Sequence, residues 1–176
     1  MFIRQSLRSD YCAVYSVGMC LTIAGHPTNR KEALLMFGAQ PGKWNGASQA
    51  QIRSVLAARI VNLSGKWQRL ASANREGVHR ALRRSLNADC TAVVTAYCKH
   101  RALGITCGHV FLATGIGSDG SIELLDPLCK RPKAGTLRNA SIPRESMEES
   151  ELMLVLDSPW DICLNRQVSI LRVPRV

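Results

Sequence analysis

The sequence predicts an α+β fold in which N-terminal helices pack on an antiparallel β-sheet. Two observations support this prediction. Within residues 1–88, apolar residues recur at the three- and four-residue spacing of one helix face, whereas residues 89–176 contain short β-branched runs typical of buried strands. No internal repeat or low-complexity segment divides the 176 residues, so we expect a single domain spanning 1–176, with 1–88 mainly helical and 89–176 mainly β.

Four helices are predicted in the first half, three of them from polar residues that can cap a helix. Asp10 precedes the first apolar periodic segment, which Gly and Pro end at residues 25–27. Asn29 and Ser48 each stand three residues before a Glu or Gln, which is the pattern of a capping box. The fourth helix is expected from about residue 74 to residue 86.

The second half is predicted to form the sheet. The expected strands are residues 91–97, 108–115, 121–125, 152–156 and 169–173. The Gly-rich segment between the second and third strands predicts a hairpin turn. Such a hairpin would bring the outer ends of these two strands close together.

The composition is that of a soluble protein with a strong positive charge. Lys and Arg number 23 against 13 Asp and Glu, a net charge of +10, which favours anionic partners. No apolar run approaches the roughly 20 residues that span a bilayer, and the N-terminus turns polar too early for a secretory signal. We therefore expect a cytoplasmic protein without a membrane segment, a description also compatible with delivery into another cell as an effector.

The basic residues are concentrated on one predicted helix, which carries Arg80, Arg83 and Arg84. This face is either simply solvated or a docking surface for an acidic protein partner. A nucleic-acid partner is not favoured, because no aromatic residues alternate with the basic ones to form a stacking platform.

The chain contains seven cysteines, an odd number with irregular spacing. They are Cys12, Cys20, Cys90, Cys98, Cys107, Cys129 and Cys163. This pattern argues against a complete disulfide framework, and most of them stand in apolar surroundings where a thiol behaves as a small buried hydrophobe. We expect them to be reduced.

Four residues together have the chemistry of a thiol acyl-transfer site. Cys12 opens a predicted helix, where unpaired N–H groups and the helix dipole favour a thiolate. His109 stands on a predicted strand and can form a thiolate–imidazolium pair with Cys12 if strand and helix pack together. Asp126, at the end of the next strand, can accept from the imidazole and fix its tautomer. Gln5 can donate to a developing oxyanion together with the Cys12 backbone N–H.

These residues stand in three segments that resemble a known family. The segments are Gln5 through Asp10-Tyr11-Cys12, residues 108–115 (GHVFLATG) and residues 124–127 (LLDP). They are similar to the motifs of the bacteriocin-processing, double-glycine peptidases, which are papain-like cysteine peptidases. The resemblance implies a papain-like fold, Cys12 as nucleophile, His109 as general base and acid, Asp126 as orienting carboxylate and Gln5 as oxyanion donor. It also implies cleavage after small residues such as Gly-Gly, with no metal or cofactor.

Three alternatives stay open at this point. Cys98, His100, Cys107 and His109 have the ligand types of a zinc site, and Cys107 could be a rival nucleophile. Tyr11 and Ala13 flank Cys12 where the family has Asp and Gly, a difference that motivates a non-catalytic peptide-binding module. The same Cys–His–Asp chemistry also serves deamidases, transglutaminases and acyltransferases, because a thioester can be resolved by water or by an amine.

Overall fold

The computed structural model describes residues 11–40, 44, 46–63, 65–71, 74–87, 89–144 and 151–175, which form four α-helices and eight β-strands. The helices are α1 (Cys12–Ile23), α2 (Arg30–Met36), α3 (Gln49–Ala57) and α4 (Arg75–Ser85). The strands are β1 (Gln68–Leu70), β2 (Cys90–His100), β3 (Thr106–Ile116), β4 (Ile122–Leu125), β5 (Ala140–Ile142), β6 (Leu152–Met153), β7 (Trp160–Cys163) and β8 (Val168–Pro174). The predicted α+β class is confirmed.

Capping explains where three of the helices begin. Asn29 and Ser48 both form the predicted capping boxes. In each box the side chain of the capping residue accepts from the backbone N–H three residues later. The side chain at that later position accepts in turn from the backbone N–H of the capping residue. Asn74 caps α4 by accepting from the N–H of Gly77. Asp10, predicted to cap the first helix, lies outside the described residues. Among the helices described, none combines the length and apolar character needed to cross a bilayer.

The sheet is antiparallel throughout and is organised around the long β2–β3 hairpin. Its strand order is β1-β8-β2-β3-β4-β5, and β7 pairs with β2 and with β6. Both hairpin strands extend beyond the predicted residues. The predicted strand at 152–156 is reduced to the two residues of β6, and β1, β5 and β7 were not predicted. Strands of three or four residues are too short to show a reliable period.

Apolar clusters cover both faces of the sheet. Val110 and Leu112 of β3 pack in one cluster with α1, whereas Phe111 packs in the other with residues of α4. Because alternate strand residues point to opposite faces, His109 shares the face of Phe111, and their rings lie 5.9 Å apart. This matches the predicted placement of His109.

Two features of the fold bring the start of α1 close to the part of β3 that extends beyond β4. The Ser16 hydroxyl donates to the carbonyl of Val110 over 2.9 Å, which fixes α1 on β3 one turn after Cys12. Strand β4 ends at Leu125, and its pairing with β3 reaches only Leu112. Residues 106–111 of β3 therefore extend past β4, and side chains from α1, β3 and the end of β4 can meet there.

The predicted basic face of α4 is exposed. Arg80 lies 3.6 Å from Glu76 in an exposed ion pair, and Arg83 donates to the carbonyl of Gly120 over 3.5 Å. Arg84 is also exposed. An acidic partner for this face stays a prediction.

Candidate active site

Cys12 is the first residue of α1 and is half-buried. The residue before it, Tyr11, occupies the N-cap position but makes no side-chain cap bond; its hydroxyl donates instead to the carbonyl of Gln40 over 3.0 Å. The N–H groups in the first turn of a helix have no partner within the helix, and they carry the positive end of its dipole. An anion next to Cys12 is stabilised by this arrangement.

His109 links the thiol to a carboxylate, as the sequence predicts. Its Nε2 lies 3.0 Å from Oδ1 of Asp126, and both side chains are almost completely buried. The thiol of Cys12 lies close enough to the same imidazole to raise the pKa of His109, and both side chains line one cleft. Since Nε2 is engaged by Asp126, Nδ1 is the ring nitrogen left for the thiol. Three of the four predicted residues thus form one continuous thiol–imidazole–carboxylate chain.

The electrostatics favour a charged imidazolium in this chain. Burial has the largest single effect on the pKa of His109 and lowers it, but the charge and hydrogen bond of Asp126, with those of Cys12, raise the pKa from 6.5 to about 10. Burial disfavours the charged form of Asp126 as well and raises its pKa. The charge of His109 and the hydrogen bonds to the carboxylate have the larger combined effect, so the pKa of Asp126 lies below its usual value of 3.8. At neutral pH the pair is therefore an imidazolium and a carboxylate.

Asp126 is held by contacts that sequence reasoning missed. Oδ1 accepts from the N–H of Leu128 over 2.8 Å, and Oδ2 accepts from the Ser158 hydroxyl over 3.1 Å. Asn139 fixes the backbone by accepting from the Asp126 N–H and donating to its carbonyl, each over 2.8 Å. The Asp-Pro turn signal anticipates the Leu128 contact. Ser158 and Asn139 come from distant loops and carry no local signal.

Trp160, also missed, covers the imidazole. It is 5% exposed and stacks on His109 with ring centroids 5.8 Å apart and an interplanar angle of 22°. Its other contact is an edge-on packing against His100, at 4.8 Å and 87°. An aromatic ring over the imidazole excludes water from one face and attracts the imidazolium charge.

A cleft of about 640 Å³ opens at this chain of residues. It is lined by residues 46–49, 95–97 and 107–110 together with Cys12, Ala13 and Gln167. The lining contains the imidazole of His109, two thiols and the phenol of Tyr97, and among the described lining residues there is no Asp, Glu, Lys or Arg. Several of the lining residues are small, and Gln49 donates from Nε2 to the Thr95 hydroxyl over 3.0 Å. The cleft therefore suits an uncharged, extended segment of polypeptide.

Gln5, the fourth predicted site residue, lies outside the described residues. Its role as an oxyanion donor stays a prediction. The amides of Gln49 and Gln167 line the cleft, but Nε2 of Gln167 donates to the Ser169 hydroxyl over 2.8 Å, as Nε2 of Gln49 does to Thr95. Both amides are thus engaged within the protein.

The alternative zinc site is not supported. Cys98 and Cys107 lie opposite each other in the β2–β3 register, but Cys98 is buried and Cys107 is exposed. The ring of His100 packs on Trp160, and its Nδ1 accepts from the N–H of Leu103. In the part of the chain that the structure describes, no three His, Cys, Asp or Glu side chains are grouped to hold a metal ion.

None of the seven cysteines, all of which lie among the described residues, is paired in a disulfide in this structure. Burial raises the pKa of the Cys20 thiol from 9.0 to about 12, and burial also raises the pKa values of Cys98, Cys129 and Cys163. Thiols in such surroundings are poor nucleophiles. Among the cysteines, Cys12 and Cys107 line the cleft, and Cys12 is the one that stands at a helix start and raises the pKa of His109.

Comparison with known proteins adds no family assignment. No protein-family model matches this chain, and no curated protein sequence matches it. The resemblance to the bacteriocin-processing peptidases therefore rests on the three sequence motifs alone. The function has to be argued from the arrangement of the site.

Proposed function

We propose that this protein is a cysteine peptidase with a papain-like fold that cleaves a peptide bond through a thioester on Cys12. The observation that carries the proposal is the grouping of Cys12 beside His109, which is hydrogen-bonded to the buried Asp126, at the edge of a cleft without Asp, Glu, Lys or Arg among its described lining residues. Each residue has a role that its neighbours support: a nucleophile at a helix start, a buried base in contact with it, and a carboxylate that orients the base.

In the acylation step the Cys12 sulfur attacks the scissile carbonyl carbon while His109 holds the thiol proton. The C–N bond breaks as His109 gives that proton to the leaving amine, which departs as the new N-terminus of the second product. In the second step His109 takes a proton from water, the hydroxide attacks the thioester, and the first product leaves as a carboxylic acid. The Cys12 sulfur leaves as a thiolate and the proton taken from water stays on His109, which restores the starting state.

The carboxylate of Asp126 keeps the imidazole in the orientation that both steps require. Its bonds from Leu128 and Ser158 fix the carboxylate, so the ring cannot turn without breaking a buried ion pair. The developing oxyanion would be held by the Cys12 backbone N–H and, by the resemblance, by Gln5. Losing one such donor costs about 2.7–4 kcal/mol in the transition state.

The lining of the cleft supports a preference for small, uncharged residues in the substrate. Ala13, Gly46 and Ala47 leave room for backbone rather than for bulky side chains. We extend the proposal to peptides with small residues such as Gly-Gly before the scissile bond, in line with the family resemblance.

The proposal is tested by screening a fluorogenic peptide library with the wild-type protein and with Cys12→Ala. We expect turnover that is enriched in peptides with small uncharged residues, and a loss of roughly 10³-fold or more in kcat/KM for Cys12→Ala. The thermal midpoint should hardly change, since the half-buried thiol contributes little to the core.

Two further cysteine variants serve as controls. Cys107→Ser removes the other thiol of the cleft and Cys163→Ala removes a thiol buried in β7, and both should retain turnover within a few-fold. Turnover that survives in Cys12→Ala but disappears in Cys107→Ser would assign the nucleophile to Cys107. Saturable binding of library peptides without any turnover would instead identify a binding module.

A further inference from the structure

A second recess lies away from the cleft, between the C-terminal half of α1 and the loop that follows β4. Its volume is about 410 Å³, within the range of about 300–1,000 Å³ typical of small-molecule sites. Met19, Ile23, Leu125 and Leu137 provide apolar surface. We call this recess the basic groove, because Arg131, Lys133 and Arg175 also line it.

The charge of the basic groove is one-sided. None of the described residues that line it is acidic, so its three cations are not neutralised from within. A neighbouring recess that shares Thr136, Leu137 and Arg175 differs in this respect, because it also contains Asp119 and Glu123. The one-sided charge is therefore a property of the basic groove and does not follow simply from the net charge of the protein.

Arg175 adds an unsatisfied donor at this place. Its Nη2 donates to the carbonyl of Thr114, at the irregularity where the β3–β4 pairing shifts between Ala113 and Gly115. Its Nε is shielded from solvent and has no acceptor among the residues that the structure describes. The protein therefore satisfies the Arg175 guanidinium only in part, and an anionic oxygen against the part of Arg175 that lines the basic groove would stabilise its charge.

We propose that the basic groove binds an amphiphilic anion, a small molecule with one anionic head group on an apolar chain. The head group would lie against Arg131, Lys133 and Arg175, and the chain would cover Ile23, Leu125 and Leu137. A small molecule fits better than a protein surface, because the recess is bounded and its apolar and cationic parts lie within one cavity. The proposal is independent of the peptidase assignment, and its test does not require catalysis.

The test is a calorimetric titration of the full-length protein with four probes. Octanoate and octyl phosphate carry the head group and the chain, 1-octanol lacks the charge, and butyrate lacks most of the chain. We expect saturable binding of at least one of the two octyl anions, with 1-octanol and butyrate at least roughly tenfold weaker. The stronger anion identifies the head group as carboxylate or phosphate. Binding should also weaken with added salt, as expected for exposed cations.

Charge-matched double variants locate the site. The double variant Arg131→Gln with Lys133→Gln removes two exposed cations at the rim of the basic groove and should lower the affinity for the anion roughly tenfold. Arg80→Gln with Arg84→Gln removes the same charge from the exposed face of α4 and should leave the affinity unchanged. A third variant, Leu137→Asp, places a negative charge at a position that is 48% exposed and should abolish binding without unfolding the chain.

Three results would overturn the proposal. The first is no binding of either octyl anion at millimolar concentration. The second is equal binding of 1-octanol, which would show that the cations contribute nothing. The third is an equal loss of affinity in the two double variants, which would mean that the anion responds to net charge and not to the basic groove.

Discussion

Two buried carboxylates among the described residues are paired with a cation, and one of the two pairs belongs to the candidate active site. Asp126 pairs with His109, and Asp161 pairs with Arg101 through two bonds of 2.9 and 2.8 Å. Both carboxylates also accept from a backbone N–H, Asp126 from Leu128 and Asp161 from Val155. By the usual criteria of burial and hydrogen bonding the two pairs look alike.

The difference between the pairs lies in the cation and in what it contacts. Arg101 stays charged at any ordinary pH, and the hydrogen bonds that it donates to Asp161 raise its pKa further. Its guanidinium also donates to the carbonyl of Val155, so it ties the tip of the β2–β3 hairpin to the loop before β7. His109 can gain and lose a proton, and it contacts a thiol at the edge of a cleft. A buried pair becomes a candidate catalytic pair when its cation can change charge beside a nucleophile.

This comparison predicts the largest effect for Asp126→Asn. The amide cannot balance an imidazolium, and it can hold the ring in the wrong tautomer, so kcat/KM should fall by roughly 10²-fold to 10⁴-fold. The free energy of unfolding should also fall, by about 3–5 kcal/mol, because a buried imidazolium loses its counter-charge, so activity is measured where the variant is fully folded. Peptidase assays and urea unfolding of the same preparation measure both quantities. A folded variant that keeps its kcat/KM within a few-fold would make Asp126 structural, like Asp161.

A different division between activity and stability is expected for Asp161→Asn. The Arg101 side chain is 41% exposed, so water can solvate the guanidinium in part after the pair is lost. The free energy of unfolding should therefore fall by about 1–3 kcal/mol. The folded fraction should keep its kcat/KM within a few-fold, because Asp161 does not contact His109 or Cys12 directly. Assays at a temperature where both proteins are fully folded separate the two effects. A loss of activity as large as that of Asp126→Asn would erase the distinction between the pairs.

The pH dependence should distinguish the pairs as well. The pKa of His109 is raised to about 10, above its unfolded value of 6.5, so its contribution to stability is complete below pH 6.5 and is lost as pH rises toward 10. The lowered pKa of Asp126 gives a contribution that is present above pH 3.8 and is lost as pH falls further. In Asp126→Asn the basic limb of the rate profile should move to lower pH by at least about one unit, equivalent to about 1.4 kcal/mol.

Asp161→Asn is the control for this shift, since it should leave the basic limb of the profile where it is in the wild type. An unmoved basic limb in Asp126→Asn would mean that Asp126 does not set the charge state of His109. Rate profiles of the three proteins between pH 5 and pH 10 give the comparison.

The smallest effect is expected for Ser158→Ala. The hydroxyl donates to Oδ2 of Asp126, and its loss removes one hydrogen bond of about 1 kcal/mol while the ion pair stays. We expect kcat/KM to fall roughly fivefold with little change in KM, and Ser158→Thr to recover part of the loss. Fluorogenic assays over a range of substrate concentrations below and above KM measure both quantities. A change in KM alone would place Ser158 in substrate binding and not in the support of Asp126.

The sequence predicts much of the fold where local signals are strong. The capping boxes of Asn29 and Ser48 and the long β-branched runs of β2 and β3 need no tertiary information, and the structure contains them. Strands β5, β6 and β7 have two to four residues each, and their extended form depends on pairing with the rest of the sheet. That is why residues 140–163 were the least well predicted part of the chain.

The candidate site follows the same division. Cys12, His109 and Asp126 could be identified because a helix start, a strand and a strand end each have a sequence pattern. That the three side chains lie close together depends on the packing of α1 against β3, to which the Ser16 hydrogen bond contributes. Ser158 and Trp160 reach the site from β7 and the loop before it, 32 or more residues beyond Asp126. No local pattern connects such distant positions.

The central claim is that His109 activates Cys12, and iodoacetamide labelling across pH ~5 to 9, read by mass spectrometry, tests it most directly. An ordinary thiol has a pKa of about 8.5, so labelling at pH ~6 detects an activated thiolate, and the exposed Cys107 shows what exposure alone contributes. We predict that Cys12 is labelled first at pH ~6 and that this preference disappears in His109→Ala. Labelling of Cys12 that is no faster than that of Cys107, or that is unchanged in His109→Ala, would contradict the claim.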